Sequence, residues 1–338
     1  MTKPKKNINW PKVSFILLTL NGGNGVKRCL TSLWKQSYPK KLIDVVVVDN
    51  GSTDESVYIA REFGARVFIH PEGNLYSNWV RGLHVVNGKF VFYLEQDIVL
   101  RGKNFIKNMI KPLLNDSRLI ASFTKEHPKK DMNWTARFLS YHYSQCDPLL
   151  EFLFDKLENK IIERHDDYDV CKFDHKLQPA CRMFYRIKYL KKTKNWRAKN
   201  YFDHDFVINC VNAGYPYFAY VSEPGYYHYH VTSLKHLMTK RVRNMNMHYF
   251  DNYDKGDYTI LNIKDKKQVL KLILFFFYAN LIIPATIRGI IRFLKYKDWV
   301  LLTEPIVTVA VTDYLLLAFL KDERGRGYIT RSVNTLFK

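Results

Sequence analysis

Acidic residues are in short supply in this 338-residue chain: Asp and Glu number 32 against 53 Lys and Arg, a formal net charge of +21. An excess of that size goes beyond what solubility needs and calls for an anionic partner. Nucleic acid and an acidic lipid leaflet both answer to charge alone. Cysteine is scarce as well. Cys29, Cys146, Cys171, Cys181 and Cys210 are odd in number and irregular in spacing, which argues against a disulfide framework or a CxxC metal site and fits a reducing compartment. Residues 1–10 are basic but lack the apolar stretch and cleavage site of a secretory leader, so the chain is expected to stay in the cytosol. The Asn-x-Ser/Thr triplets at Asn50, Asn115 and Asn133 then read as chance matches. The glycine-bearing loops hold neither a GxGxxG nor a Walker pattern, which leaves a nicotinamide site or an ATPase P-loop without support. Apolar residues are not lacking. At 47% hydrophobic content the chain has ample material for a core and is not disordered.

The first hundred residues alternate strand and helix signals. Residues 13–18 read as a buried strand ended by the polar turn at 19–25, and residues 26–36 as a helix with Cys29, Leu30, Leu33 and Trp34 on one face. A second strand at 43–48 ends in Asp49, and Ser52 or Thr53 can cap the helix that carries Val57, Ala60 and Phe63. A short strand at 67–69 and a helix at 75–86 complete the series. This rhythm implies βαβ crossovers and a mainly parallel sheet whose loops gather on one edge.

The stretch 90–99, Phe-Val-Phe-Tyr-Leu-Glu-Gln-Asp-Ile-Val, organises the rest. Its apolar run has the length and composition of a buried strand, and it delivers Glu95 and Asp97 where the apolar residues give out. Strand ends of this kind are where open α/β sheets bind ligands. Two carboxylates there can hold a divalent cation through oxygen, and a cation can neutralise a diphosphate.

Three strings carry a resemblance: Ser14-Phe15-Ile16-Leu17-Leu18-Thr19-Leu20-Asn21, Val46-Val47-Val48-Asp49-Asn50-Gly51-Ser52-Thr53-Asp54, and residues 87–97 through Glu95-Gln96-Asp97. It resumes at Asp203-His204-Asp205-Phe206, Ala213-Gly214-Tyr215 and 224–230. In these, over roughly the first 230 residues, the chain resembles the family 2 glycosyltransferases with the GT-A fold. The resemblance implies a nucleotide-sugar donor, UDP-, GDP- or dTDP-linked, whose base and ribose are held by Thr19, Asn21 and Asp49, with Asp54 nearby. It matches Glu95 and Asp97 to the acidic pair that holds Mn²⁺ or Mg²⁺ against the diphosphate, and puts His230 near the metal. Glu at the first position departs from the family's pattern and makes Asp97 the better ligand. Val80 stands where the family often has Asn, and Arg81 is a candidate to compensate by charge.

Beyond a further strand at 118–124, residues 126–176 lose clear periodicity and read as an insertion on the acceptor side. Within it, His165, Asp166, Asp167 and Asp169 read more readily as a solvated loop than as a metal cluster. An amphipathic helix starts near Asp203 and is closed by Gly214. The resemblance makes Asp203 the general base, Asp205 its fallback, and Phe202 a departure from the family's Glu. An acceptor hydroxyl needs such a base on the face opposite the leaving diphosphate, and direct displacement inverts the anomeric centre. His228 and His230 fall on one side of an extended segment. Lys235, His236, Lys240, Arg241 and Arg243 follow as a basic helical run.

The last third is apolar between basic flanks. Residues 272–287 reach about 24 Å as a helix, short of the roughly 30 Å hydrocarbon core, and Pro284 bends them. Residues 299–320 carry Glu304, Pro305 and Asp313. Interfacial helices on an anionic membrane surface are favoured over a span. The resulting expectation is an α/β, GT-A (Rossmann-like) catalytic domain at 1–231, a basic helical connector at 232–265 and a membrane-associated helical tail at 266–338. Its activity would be inverting, metal-dependent transfer to a lipid-linked acceptor, polyprenyl-linked or another glycolipid, at the cytoplasmic face of a membrane, with the protein peripheral or monotopic. A polyprenyl-phosphate monosaccharide synthase ranks second, since Ile98-Val99-Leu100 replaces that group's signature after the acidic pair. A non-catalytic sugar-nucleotide-binding scaffold and, from charge alone, a nucleic-acid-binding protein rank lower.

Overall fold

The computed structural model describes residues 9–142, 148–153, 155–174, 182–193, 196, 203–250 and 265–337. Phe202, Cys146 and Cys181 lie outside them. In chain order the strands and helices are β1 (Val13–Thr19), α1 (Gly23–Trp34), β2 (Ile43–Asp49), α2 (Ser56–Glu62), β3 (Arg66–Ile69), α3 (Leu75–Val85), β4 (Phe90–Glu95), β5 (Ile98–Leu100), α4 (Phe105–Asn115) and β6 (Ala121–Phe123). There follow α5 (Trp134–Leu139), α6 (Pro148–Leu153), β7 (Ile161–Arg164), β8 (Asp169–Lys172), β9 (Met183–Arg186), α7 (Ile187–Leu190), α8 (Asp203–Asn212), β10 (Tyr217–Tyr220) and β11 (Tyr226–His228). Helices α9 (Leu234–Met245), α10 (Lys266–Asn280), α11 (Ile283–Tyr296), α12 (Glu304–Lys321) and α13 (Glu323–Phe337) close the chain. Two compact units result: 1–124 with 161–172 and 180–226, and 125–160 with 173–179 and 227–338.

The first unit is built on a nine-stranded sheet of order β3-β2-β1-β4-β9-β6-β10-β8-β7. β1, β2, β3 and β4 pair in parallel, as does β10 with β6, whereas β9 and β8 pair antiparallel with their neighbours. The sheet is therefore mixed and mostly parallel. Alternate residues of the central strands explain the layers. Phe15, Leu17, Val45, Val47, Phe92 and Leu94 share a core with Leu30 and Leu33 of α1, Ile59 of α2 and Ile106 of α4. On the opposite face α3 approaches β1 so closely that a Cβ on Gly82 would lie 2.5 Å from Ile16 Cγ2, and Trp79 meets Tyr93 edge-on at 4.1 Å. Phe206 of α8 packs beside Tyr185 of β9, 6.1 Å between ring centres.

Polar pairing ties down the amino edge. Asp44, buried, accepts from Ser14 Oγ at 2.7 Å and from Arg66 at 2.9 and 3.0 Å. The stretch 90–99 gives the expected strand, β4, which ends at Glu95 where the apolar residues give out; Gln96 and Asp97 form a turn, and the short strand β5 follows it. One sequence expectation changes here. Within the segment read as an irregular insertion, residues 161–172 form the hairpin β7–β8, which completes the sheet. Its turn and the first residue of β8 carry the His165, Asp166, Asp167 and Asp169 group. Asp167 pairs with Lys111 and Asp169 with Arg164, the arrangement of a solvated turn. Cys171 and Cys210 are free and buried, and burial pushes each thiol up to about 12.

The second unit is helical. Met132, Phe138, Leu139, Leu237, Val300, Leu301, Val307 and Val311 form its core. At the start of α12 the buried Glu304 takes hydrogen bonds from Arg288 and from Arg292, the latter at 2.8 Å, while Arg288 also reaches Glu151 of α6 at 3.0 Å.

The Gly82 contact yields a direct test. Adding one methyl group by Gly82→Ala overpacks the α3–β1 seam and is expected to cost about 1–3 kcal/mol, read as a lowered urea midpoint; Gly82→Val is expected to cost more.

Candidate active site

Parallel pairing levels the ends of three strands. Thr19 lies opposite Asp49, and Leu18 opposite Glu95, so the loops that follow β1, β2 and β4 leave from the same carboxyl edge. Strand β9 runs antiparallel to β4 with Phe184 opposite Phe92, which brings Arg182, just before β9, back to that edge.

The three loops are knitted by short polar side chains. Gln96 Oε1 accepts from Thr19 Oγ1 at 2.7 Å and from the Leu20 N–H at 3.2 Å. A Cβ on Gly25 would lie 2.9 Å from the Gln96 carbonyl oxygen, so glycine is what lets the two loops touch. Asn21, at φ 49°, adopts the left-handed conformation that asparagine tolerates. Its Oδ1 accepts from the Thr53 N–H at 2.9 Å, and its own N–H donates to Ser52 Oγ at 2.8 Å. Asp49 is fully buried and accepts from the N–H groups of Gly51 and Ser52 at 3.0 and 2.8 Å. Ser56 Oγ accepts from the N–H groups of Gly22 and Gly23 at 2.8 and 2.9 Å and donates to Asp54. That hydroxyl, together with the Ser56 N–H, holds the Asp54 carboxyl below the usual carboxylate range.

Glu95 and Asp97, the acids matched to the metal, have different surroundings. The Arg182 guanidinium reaches the Glu95 carboxylate at 2.5 Å, and Asp97 sits half-buried in the turn. Arg81 is exposed on α3. The asparagine contributed by that helix is Asn78, whose Nδ2 donates to Asn50 Oδ1 at 2.7 Å. Asp203 opens α8, and its side chain is not among those described. Asp205, two residues on and still in the first turn, is buried.

His230 belongs to the second unit, and so does His228. Each has a partner with only one hydrogen-bonding role. Lys240 Nζ lies 3.1 Å from His230 Nδ1, and an ammonium only donates, so the ring proton of His230 is on Nε2. The Glu126 carboxylate lies 3.0 Å from His228 Nδ1 and only accepts, so Nδ1 of His228 carries a proton and the lone pair of the neutral ring is at Nε2. Carboxylate-backed imidazoles of the latter kind are the ones that ligate cations. The resemblance singles out His230, whereas the tautomers favour His228 for that chemistry.

Sequence reading missed Gln96, Ser56, Asn78 and Arg182. Gln96 had a signal, since it stands between the two acids, but a neutral amide carries no charge to draw notice. The others act through contacts between segments that are distant in sequence.

Fold and loops together define an α/β protein with three loops gathered at one carboxyl edge, and comparison with known proteins gives its class. The sequence profile described as glycosyl transferase family 2 matches residues 14–194, more than half of the chain, and the chain belongs to that family. Over 93 residues it is 43% identical to glycosyltransferase AglE of Haloferax volcanii, covering 26% of this chain and 31% of that protein. Over 88 residues it is 34% identical to glucosyl-3-phosphoglycerate synthase of Petrotoga mobilis, covering 24% and 27%. The chain thus spans less than a third of the length of these curated relatives. Mannosyltransferase PcManGT from Pyrobaculum calidifontis, solved in complex with GDP-Man and Mn²⁺, gives a TM-score of 0.51 at 14% identity over 92% of this chain and 86% of that one. The likeness is one of fold, and the fold is GT-A-like.

Two outcomes test this geometry. Gln96→Ala removes three side-chain hydrogen bonds, to Thr19 and to the Leu20 N–H and carbonyl, of up to about 1 kcal/mol each, and is expected to weaken binding of the proposed nucleotide donor by roughly tenfold, measured by calorimetry. Because the Asp54 pKa is depressed in the folded state, its stabilisation is present above the ordinary carboxylate range and lost as pH falls through the depressed value. Melting of Asp54→Asn is therefore expected below that of the parent protein at neutral pH, with the two curves converging in acid.

Proposed function

We propose that the protein is an inverting, metal-dependent glycosyltransferase that moves a sugar from a nucleotide-sugar donor to a lipid-linked acceptor at the cytoplasmic face of a membrane. The observation that carries the reading is the level edge, where Thr19, Asp49 and the Glu95-Gln96-Asp97 turn are bound into one loop cluster of a family 2 fold. Amides and hydroxyls of those loops suit a base and ribose, and Asn21 and Asp54 brace them.

Asp97 and Glu95 form an oxygen donor set of the kind hard divalent cations take. Because Arg182 holds Glu95, we assign the cation, Mn²⁺ or Mg²⁺, to Asp97. Neutralisation of the leaving diphosphate is what such an ion supplies when bound. The chain's own residues do the rest. Asp203 takes the proton from the acceptor hydroxyl as that oxygen bonds to the anomeric carbon and the bond to the diphosphate breaks, with inversion. Asp205, already buried, is the second candidate for this proton. The base is offered as uridine, guanosine or deoxythymidine, and the acceptor as a polyprenyl-linked or other glycolipid.

Support for the membrane part comes from the second unit, where large apolar side chains stand exposed from Leu270 to Leu320 and Lys and Arg recur around them. A patch of that extent on a soluble surface marks an interaction site.

Donor hydrolysis screened across UDP-, GDP- and dTDP-sugars, with Mn²⁺ and detergent, is expected to single out one nucleotide. Asp203→Asn is expected to lower transfer by at least about 100-fold while donor binding persists. Full turnover by that variant would move the base to Asp205, and turnover by both Asp203→Asn and Asp205→Asn would overturn the scheme.

A further inference from the structure

Helices α10 and α11 meet at a bend of 76°, and between Leu270 and Leu294 their exposed side chains are apolar except for Asn280. Phe277, in the last turn of α10, is 71% exposed, and at the bend Leu281 is 62%, Ile282 53% and Ile283 69% exposed, so exposure is high through the whole elbow. Ile287, Ile291 and Leu294 continue the face along α11. We propose that this elbow is a membrane wedge: it inserts its Leu281-Ile282-Ile283 apex into one anionic leaflet and re-emerges on the same side, so that the protein is monotopic. The proposal deepens the membrane part of the reading above and rests on it.

Length and angle set the depth. Legs of 15 and 14 residues are about 21–22 Å long at 1.5 Å per residue. Meeting at 180 − 76 = 104°, they bring the apex about 13 Å below their far ends, within one leaflet of a hydrocarbon core about 30 Å thick. The two legs together do not make a crossing.

Residues Trp299–Lys321 form the helix that is long and apolar enough to span by itself, yet its neighbours argue against that. α12 packs against α9 and α13, and α9 exposes Lys235 and Arg243. A spanning α12 would carry those cations into hydrocarbon, which is costly. Its midpoint also holds Asp313, paired with Asn280 Nδ2 at 3.0 Å. An interfacial level for α12 satisfies all of these. Tyr296 and Trp299 are exposed beside the exposed Lys295 and Lys297 at the far end of α11, the aromatic and basic anchors found at headgroup depth.

Charge chooses the occupant. A second copy of this chain, at +21, would bring the same basic rim against itself, whereas an anionic leaflet complements it.

The test uses the full chain and sealed vesicles of phosphatidylcholine and phosphatidylglycerol at about 7:3. Ile282→Asp with Ile283→Asp is expected to reduce co-sedimentation at least tenfold while calorimetric binding of the donor nucleotide is unchanged, which also shows that the variant is folded. Lys297→Cys is expected to react from outside the vesicles with an impermeant maleimide, above the labelling of the unsubstituted protein. Protection of Lys297→Cys would mean a span and overturn the wedge. Unchanged co-sedimentation of the apex variant would overturn it too, as would a parent protein that ignores vesicles and self-associates through this face. Vesicle binding of the expected kind with no donor binding by any variant would instead sink the glycosyltransferase reading and leave the wedge standing.

Discussion

Everything at the carboxyl edge depends on the in-register parallel pairing of β1 with β2 and β4. Pairing Thr19 with Asp49 and Leu18 with Glu95 makes three chain reversals at one level, so that side chains as short as Ser, Asn and Gln can bridge them. A one-residue slip would turn every side chain of a strand to the other face. The cores on both faces prevent it, with Phe15 and Phe92 committed to one side and Ile16 and Tyr93 to the other. Hydrophobic burial therefore fixes a polar geometry that no hydrogen bond of about 1 kcal/mol could hold alone.

Much of this was legible in the sequence, and for a physical reason. Parallel strands buried on both faces leave continuous apolar runs, and residues 13–18 and 43–48 read as strands without ambiguity. The short strand β5 beyond the acidic pair was not legible, because Ile98 and Leu100 resume burial straight after a two-residue turn and three residues are too few to show a period. Hairpin β7–β8 was missed for a related reason: Ile161-Ile162-Glu163-Arg164 is an edge strand with every other residue exposed, too short and too polar to show a period.

The site divides along similar lines. Acids were found because charge at a strand end is conspicuous; the partners that define their roles were not. Arg182 against Glu95, Gln96 against Thr19 and Ser56 against Gly22 join segments that only the fold brings together. The paired histidines are a further case. Alternation placed His228 and His230 on one side, but their opposite tautomers follow from Glu126 and Lys240, about 100 residues away in one case and ten in the other.

Hydrogen–deuterium exchange with and without saturating nucleotide-sugar and Mn²⁺ tests the central claim most directly. A single binding event at the level edge predicts simultaneous protection of the three loops at 19–25, 49–54 and 95–98. Protection confined to one of them, or appearing away from that edge, would contradict it.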